Sequence, residues 1–397
     1  METKNSLIKI YNGKIITADK IIPNGSVLIK DGIIAAVSEH YIDMPDILTI
    51  DAGGKYISPG FIDIHVHGGG GYDFMDNTVE AFLEIAKTHA RFGTTAMFPT
   101  TLTGSTEDII KTLATFEEAS PLNNSGAQLM GMHLEGPYFA MNQRGAQDAK
   151  YIRDPDPNEY EYIVSKFNCI KRWSFAPELK GAIPFAKFLQ SKHILASIAH
   201  TDAIYEEVVE AFENGATLAT HLYSGMSGVT RRHAYRYAGV IESAFIIDEM
   251  DVEIIADGIH LPAPLLKLIC KIKTPDKIAL ITDAMRAAAM PPGESVIGNL
   301  HTGLKVIVED GVSKLPDRSA FAGSVATADR LARTMINMAC VSLYDAIKMI
   351  TQTPASIMNI SDKKGSITVG KDADIVIFDE NISIHSTMIK GKIVYQN

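Results

Sequence analysis

Short runs of apolar, β-branched residues broken by turn signals occupy residues 8–17, 26–29 and 33–37, with Asp31-Gly32 ahead of the last, which is the pattern of a β-meander. After Pro59-Gly60 the texture changes to apolar strands alternating with amphipathic helices, as βα units and a parallel sheet read in a sequence. Residues 78–92 are one such predicted helix, with Ala81, Phe82, Ile85, Ala86 and His89 near one face and Gly93 as its stop. Residues 202–214, closed by Gly215, are another. Eight apolar segments can serve as barrel strands: 61–66, 95–99, 128–133, 171–175, 194–199, 217–220, 252–256 and 278–282. Eight is the number that closes a TIM barrel. From Gly365 strand texture returns at 374–378, around Ser383 and at 389–395, too little to fold alone but able to complete the N-terminal meander. The expected fold is therefore α/β, a TIM (β/α)8 barrel over 59–364 beside a small β-sandwich accessory domain built from 1–58 and 365–397. No repeat of fixed period and no low-complexity stretch interrupts this plan.

Of the 397 residues, 46% are hydrophobic and 21% charged, enough to bury a sizeable core, which excludes general disorder. The formal net charge of -10 comes without any basic run able to follow a phosphate backbone, so nucleic acid is not an expected partner. An anionic substrate has to be held by a few local cations, because the overall field opposes it. The polar start Met1-Glu2-Thr3-Lys4-Asn5 lacks the apolar stretch of a secretory signal. The apolar window 277–290 is broken by Asp283 and Arg286 well short of the roughly 20 residues a membrane span requires. A cytoplasmic protein without a membrane partner is expected. Cys169, Cys270 and Cys340 are odd in number and widely separated, which argues against a disulfide framework and a thiolate zinc site.

Reactive groups of a barrel sit where strands end and loops begin. Those positions carry His65, His67, Glu135, Glu178, His200, His221, His260 and Asp283. In the run Phe61-Ile62-Asp63-Ile64-His65-Val66-His67 the two imidazoles point to the same face of one strand, so both can reach one metal ion. The competing reading, two core histidines, requires a buried partner for each. Glu135 precedes the turn Gly136-Pro137, which exposes its carboxylate at the barrel mouth; taken alone, a glutamate there is about as often a cap or surface acid. His200 and His221 end what should be neighbouring strands. With Glu135 they make three protein ligands and leave one position open for water, the arrangement of catalytic zinc. Asp283 closes the eighth strand, where a base could take a proton from water on the metal, although an isolated aspartate there is also a common helix N-cap. His133 reads as a packed core histidine, and His40, His193, His301 and His385 carry no functional reading.

The runs Pro59-Gly60-Phe61-Ile62-Asp63-Ile64-His65-Val66-His67-Gly68, His133-Leu134-Glu135-Gly136-Pro137, His200-Thr201-Asp202-Ala203, His221-Leu222-Tyr223, Asp257-Gly258-Ile259-His260 and Thr282-Asp283-Ala284-Met285 share an order and spacing with a known group. The chain resembles, over nearly its whole length, the N-acetylglucosamine-6-phosphate deacetylases of the amidohydrolase superfamily. The resemblance implies a metal-bearing barrel that hydrolyses the acetamido group of a hexosamine 6-phosphate. It implies that Glu135, His200 and His221 hold the principal metal and that Asp283 is the general base and acid. The resemblance implies one or two divalent ions per subunit, His65 and His67 providing for a second shared with Glu135 and Asp283; the metal would be zinc first, with iron or cobalt also suited to this ligand set. Substrate contacts map to Gly145, Ala146 and Gln147, to Ser224 and Gly225, to Arg236, to His260, and to Phe321, Ala322 and Gly323. Arg236 and His260 would meet the phosphate from different subunits of a homodimer. Two stretches depart from the family pattern: Ser224-Gly225 replaces Asn-Ala, and Arg231-Arg232-His233-Ala234-Tyr235-Arg236 replaces the usual approach to the phosphate arginine. Alternatives are a deacetylase of a related sugar such as N-acetylgalactosamine 6-phosphate, a cyclic-amide hydrolase, and a non-catalytic relative. A cyclic-amide hydrolase relies on a carboxylated lysine of the fourth strand, where this chain has Lys171 only at the start.

Overall fold

A computed structural model describes residues 7–397. Its centre is a barrel of parallel strands at Phe61–Val66, Thr94–Thr101, Met132–Glu135, Ile170–Phe175, Leu195–Ile198, Ala216–Ala219, Asp251–Ile254 and Ile278–Leu280, each hydrogen-bonded to the next. Gln128–Leu129 adds a short piece in the third position. The ring closes where Asp283 N–H donates to His65 O at 2.9 Å and His67 N–H to Ala284 O at 2.9 Å. The barrel strands are enclosed on both faces, and every residue of Phe61–Val66 and Thr94–Thr101 is buried, Asp63, His65 and the threonines included.

The predicted helix at 78–92 forms as Val79–Ala90. Thr78 caps it by accepting from Ala81 N–H, and its buried face carries Ala81, Phe82, Ile85, Ala86 and His89. The helix expected from residue 202 begins only at Tyr205, because Ile204 is held extended in a bridge to Gly239; Asp202, ahead of it, accepts from Asn142 and Gln143.

Two insertions were not among the expected elements. One is a three-stranded antiparallel sheet, Gly293–Ile297, Leu304–Glu309 and Val312–Lys314, packed on a core of Met285, Ile297, Val306, Val308 and Ala322. The other is the hairpin Thr230–Arg232 with Tyr235–Tyr237. Neither shows a long apolar run, since each strand buries few residues.

The two chain ends form one sheet, in the order Lys392–Gln396, Ile384–Ile389, Ile375–Phe378, Tyr56–Pro59, Leu7–Ile16, Ile21–Lys30 and Ile33–Ser38. Leu7–Ile16 changes partners along its length, pairing with Leu48–Asp51 through Ile8 to Tyr11 and with Tyr56–Pro59 at Lys14 and Ile15. The accessory unit therefore stays hydrogen-bonded as a single sheet around an apolar core that includes Ile10, Ile15, Val27, Ile29, Ile57 and Ile375.

Gly60 joins this sheet to the first barrel strand, and a Cβ there would lie 2.1 Å from Thr95 Oγ1. Gly60→Ala is expected to destabilise the protein by about 1–3 kcal/mol through overpacking. A lowered melting temperature checks this; an unchanged one would mean that the joint between sheet and barrel yields freely.

Candidate metal centre

Six titratable side chains meet at the end of the barrel where the strands finish: His65, His67, Glu135, His200, His221 and Asp283. Glu135 is their hub. Its Oε1 lies 2.9 Å from His221 Nε2, 3.3 Å from His200 Nε2 and 3.4 Å from His65 Nε2, and its Oε2 lies 3.4 Å from His67 Nε2. Asp283 Oδ1 is 3.1 Å from His67 Nε2 and 3.5 Å from His65 Nε2. Two sets of ligand atoms each fall within 4.8 Å of one another, His65 with His67 and Glu135, and Glu135 with His200 and His221.

The backbone is strained where these groups are presented. His200, His221 and Asp283 follow their strands with φ of +46°, +33° and +47°. Left-handed conformations of such residues cost on the order of 1–3 kcal/mol each and persist where the surroundings over-determine them, typically at functional sites. Gly136, directly after Glu135, adopts φ +86°, and a Cβ there would meet Thr103 Oγ1 at 2.4 Å. Only glycine allows the chain to turn away so closely behind the carboxylate.

The outward ring nitrogens fix the tautomers. His67 Nδ1 lies 3.2 Å from Thr100 O, and His200 Nδ1 lies 2.8 Å from Gln143 O. A carbonyl only accepts, so these nitrogens carry the protons and the Nε2 atoms turn lone pairs inward. His65 Nδ1 faces a carboxylate, Glu253 Oε2, at 3.5 Å, with the same consequence. The Nε2 atoms of His65 and His67 then stand 3.2 Å apart, lone pair to lone pair, beside two carboxylates. The cluster calls for positive charge. Burial disfavours an imidazolium at His67, yet Asp283 and Glu135 outweigh it and raise its pKa to about 9, so the Nε2 lone pair is one that takes a proton unless a metal ion takes it instead. Burial likewise opposes ionisation of Glu135, yet the imidazoles around it hold its carboxyl well below the usual range. Inward lone pairs of imidazole nitrogen and carboxylate oxygen are the donor set that divalent metals take, so the residues fit a divalent metal ion.

A cavity of about 250 Å³ opens over this cluster. Gly145, Ala146, Gln147, Ser224, Gly225, His260, Phe321 and Gly323 line it with His67, Glu135, His200, His221 and Asp283. His65 is fully buried beneath. Gln147 reaches the cluster itself, donating from Nε2 to Glu135 Oε2 at 2.7 Å while its Oε1 accepts from Thr103 N–H at 2.8 Å. His260 Nδ1 is 2.8 Å from Asp257 Oδ2, and its ring packs 4.5 Å from Phe321. Two expected substrate residues do not line the cavity. Ala322 is fully buried in the core of the three-stranded insertion, because neighbours in an extended segment point to opposite sides. Arg236 lies exposed in the hairpin at Tyr235–Tyr237, its guanidinium without a hydrogen-bond or ion-pair partner among the described residues.

Other strand-end residues have supporting places. Glu178 accepts from Thr201 Oγ1 and Asp202 N–H, both at 2.6 Å, and braces the loop after His200. His133 is a core histidine, with Nε2 2.6 Å from Ser174 Oγ and Nδ1 3.3 Å from Thr100 Oγ1. Lys171 is exposed and its Nζ donates to Asn168 O, while the fourth strand sends Arg172 into the barrel. The bridging lysine of a cyclic-amide hydrolase has no counterpart there. Missed from the sequence were Arg172, Glu253 and Asp257, together with Leu102 and Ile297 of the cavity wall. A charged residue inside a buried strand, as at Arg172 and Glu253, was the available signal.

A closed parallel barrel with an imidazole and carboxylate cluster at its strand ends defines a hydrolase of the amidohydrolase type. The amidohydrolase family profile matches residues 56–394, and the chain belongs to that family. It is 32% identical over 392 residues to the N-acetylglucosamine-6-phosphate deacetylase of Lysinibacillus sphaericus, covering 98% of this chain and 97% of that one. It is 29% identical over 381 residues to the N-acetylgalactosamine-6-phosphate deacetylase of Escherichia coli O157:H7, covering 96% and 97%. The crystal structure of N-acetylglucosamine-6-phosphate deacetylase from Pasteurella multocida matches with a TM-score of 0.91 at 26% identity, over 98% of this chain and 100% of the other.

Proposed function

We infer that the protein hydrolyses the acetamido group of N-acetylglucosamine 6-phosphate, releasing acetate and glucosamine 6-phosphate. The observation that carries this reading is the full donor set of Glu135, His200 and His221, with Asp283 beside it, in a chain that matches deacetylases of that substrate end to end. Glu135, His200 and His221 would hold the principal divalent ion, zinc by preference, and His65 and His67 would hold a second together with Glu135 and Asp283. When bound, the ion supplies Lewis acidity toward the acetyl carbonyl and the attacking water. Asp283 accepts a proton from that water and returns it to the departing amine, without which nitrogen leaves poorly. His260, its Nδ1 held by Asp257, faces the cavity as a contact for the substrate. No helix among the described residues is long and apolar enough to cross a membrane. We place the enzyme in the cytoplasm.

Arg236 serves the phosphate in this reading. Its exposure outside the cavity of its own chain suits a homodimer in which each hairpin reaches the cavity of the second copy. In a protein of net charge -10 a local arginine has to supply the attraction for a dianion. A charge-assisted contact is worth roughly 1.5–3 kcal/mol, so Arg236→Ala is expected to raise KM for the phosphorylated sugar at least about tenfold. The effect on an unphosphorylated substrate should be smaller. Equal loss on both substrates would assign Arg236 to holding the hairpin.

Acetate release from a panel tests the reading: N-acetylglucosamine and N-acetylgalactosamine, each with and without 6-phosphate. The highest kcat/KM is expected for N-acetylglucosamine 6-phosphate. Preference for the galactosamine epimer, the activity named for the Escherichia coli relative, would transfer the same chemistry to the other sugar.

A further inference from the structure

Beneath the cluster a second layer of charge crosses the barrel. Arg172, on the fourth strand, and Glu253, on the seventh, are both fully buried and form a bidentate pair, Nη1 with Oε1 and Nη2 with Oε2, the latter at 2.9 Å. Every donor of the guanidinium is used. Nε donates to Ser197 Oγ at 2.9 Å, Nη1 also to Ile64 O at 3.2 Å, and Nη2 also to Thr220 Oγ1 at 2.8 Å. The pair is thereby tied to the first, fifth and sixth strands, which carry or immediately precede His65, His200 and His221.

Glu253 has capacity beyond the arginine. Its Oε2 lies 3.5 Å from His65 Nδ1 and accepts from His221 N–H at 3.4 Å. The contrast with the neighbouring imidazoles is instructive. His67 and His200 turn Nδ1 to neutral peptide carbonyls, whereas His65 turns it to a carboxylate, the arrangement that orients a metal-binding imidazole and raises its basicity. An unpaired carboxylate at this depth would be costly, and Arg172 balances it while fixing its plane.

We propose that Glu253, fixed by Arg172, is the positioning residue that holds His65 as the Nδ1–H tautomer with its Nε2 lone pair directed into the metal cluster. The proposal rests on the reading of His65 and His67 as metal ligands. It concerns neither substrate contact nor proton transfer: Glu253 acts through His65.

Two double variants separate positioning from fold maintenance. Arg172→Met with Glu253→Leu removes the buried charges and the acceptor for Nδ1, and apolar replacement of a whole buried pair is often neutral for stability. Arg172→Met with Glu253→Gln also removes the charges but keeps a carbonyl oxygen facing His65. Competition with a chromophoric chelator for zinc, with melting of the metal-free proteins alongside, reads metal affinity independently of activity. The leucine form is expected to bind the His65 and His67 equivalent about 10–100-fold more weakly than the unmodified protein. The glutamine form should recover most of that loss at a similar melting temperature. Equal affinity in both forms, whether unchanged or equally weakened, overturns the proposal. Should either variant fail to fold, nitrogen-15 spectra of the histidine-labelled, unmodified protein decide: protonation of His65 at Nδ1 supports the proposal and protonation at Nε2 overturns it. Unmodified protein that binds zinc only through Glu135, His200 and His221 would instead remove His65 and His67 as ligands, and the proposal with them.

Discussion

His200→Ala is expected to remove metal and activity together. His200 Nε2 stands 3.3 Å from Glu135 Oε1, and its Nδ1 is anchored on Gln143 O, so the ring has one free lone pair and one place to spend it. Three protein ligands are the usual minimum for a catalytic zinc. Since loss of a mere outer partner of a ligand costs about 10–100-fold in metal affinity, loss of the ligand itself should exceed that range. Elemental analysis after dialysis and an acetate assay on the same sample check the result. Full metal occupancy in the variant would show that other groups hold the ion.

Asp283→Asn is expected to separate catalysis from binding of the principal metal. The amide preserves the shape of the carboxylate but cannot accept a proton from water, and general acid–base contributions are worth about 10²–10⁴-fold. A fall in kcat of that size should come with KM near normal and the principal metal retained through Glu135, His200 and His221. Asp283 N–H donates to His65 O at the closure of the barrel, a backbone contact the substitution leaves in place. A kcat within a few-fold of the unmodified protein would assign the proton transfer to another group.

The barrel was legible in the sequence because parallel strands buried on both faces leave apolar runs, and all eight appear within a few residues of the expected positions. His65 and His67 were legible for the same reason in reverse, as polar groups that continue the alternation begun by Asp63 in a strand whose other positions are apolar. Arg172 and Glu253 broke their runs just as visibly, but their partnership spans 81 residues and exists only once the barrel has closed. Local pattern carries no such pairing. The sheet at Gly293–Lys314 was missed because its strands bury few residues, leaving periodicity with little to mark. Arg236 was placed by resemblance alone, and the structure puts it on an exposed hairpin outside the residues that line the cavity.

The most direct test is to strip the protein of metal with a chelator and restore a divalent ion in steps while following acetate release from N-acetylglucosamine 6-phosphate. Activity should vanish in the stripped protein and return in proportion to metal bound, levelling at one or two equivalents per chain. Undiminished acetate release from metal-free protein, or none from folded, metal-saturated protein, would contradict the assignment.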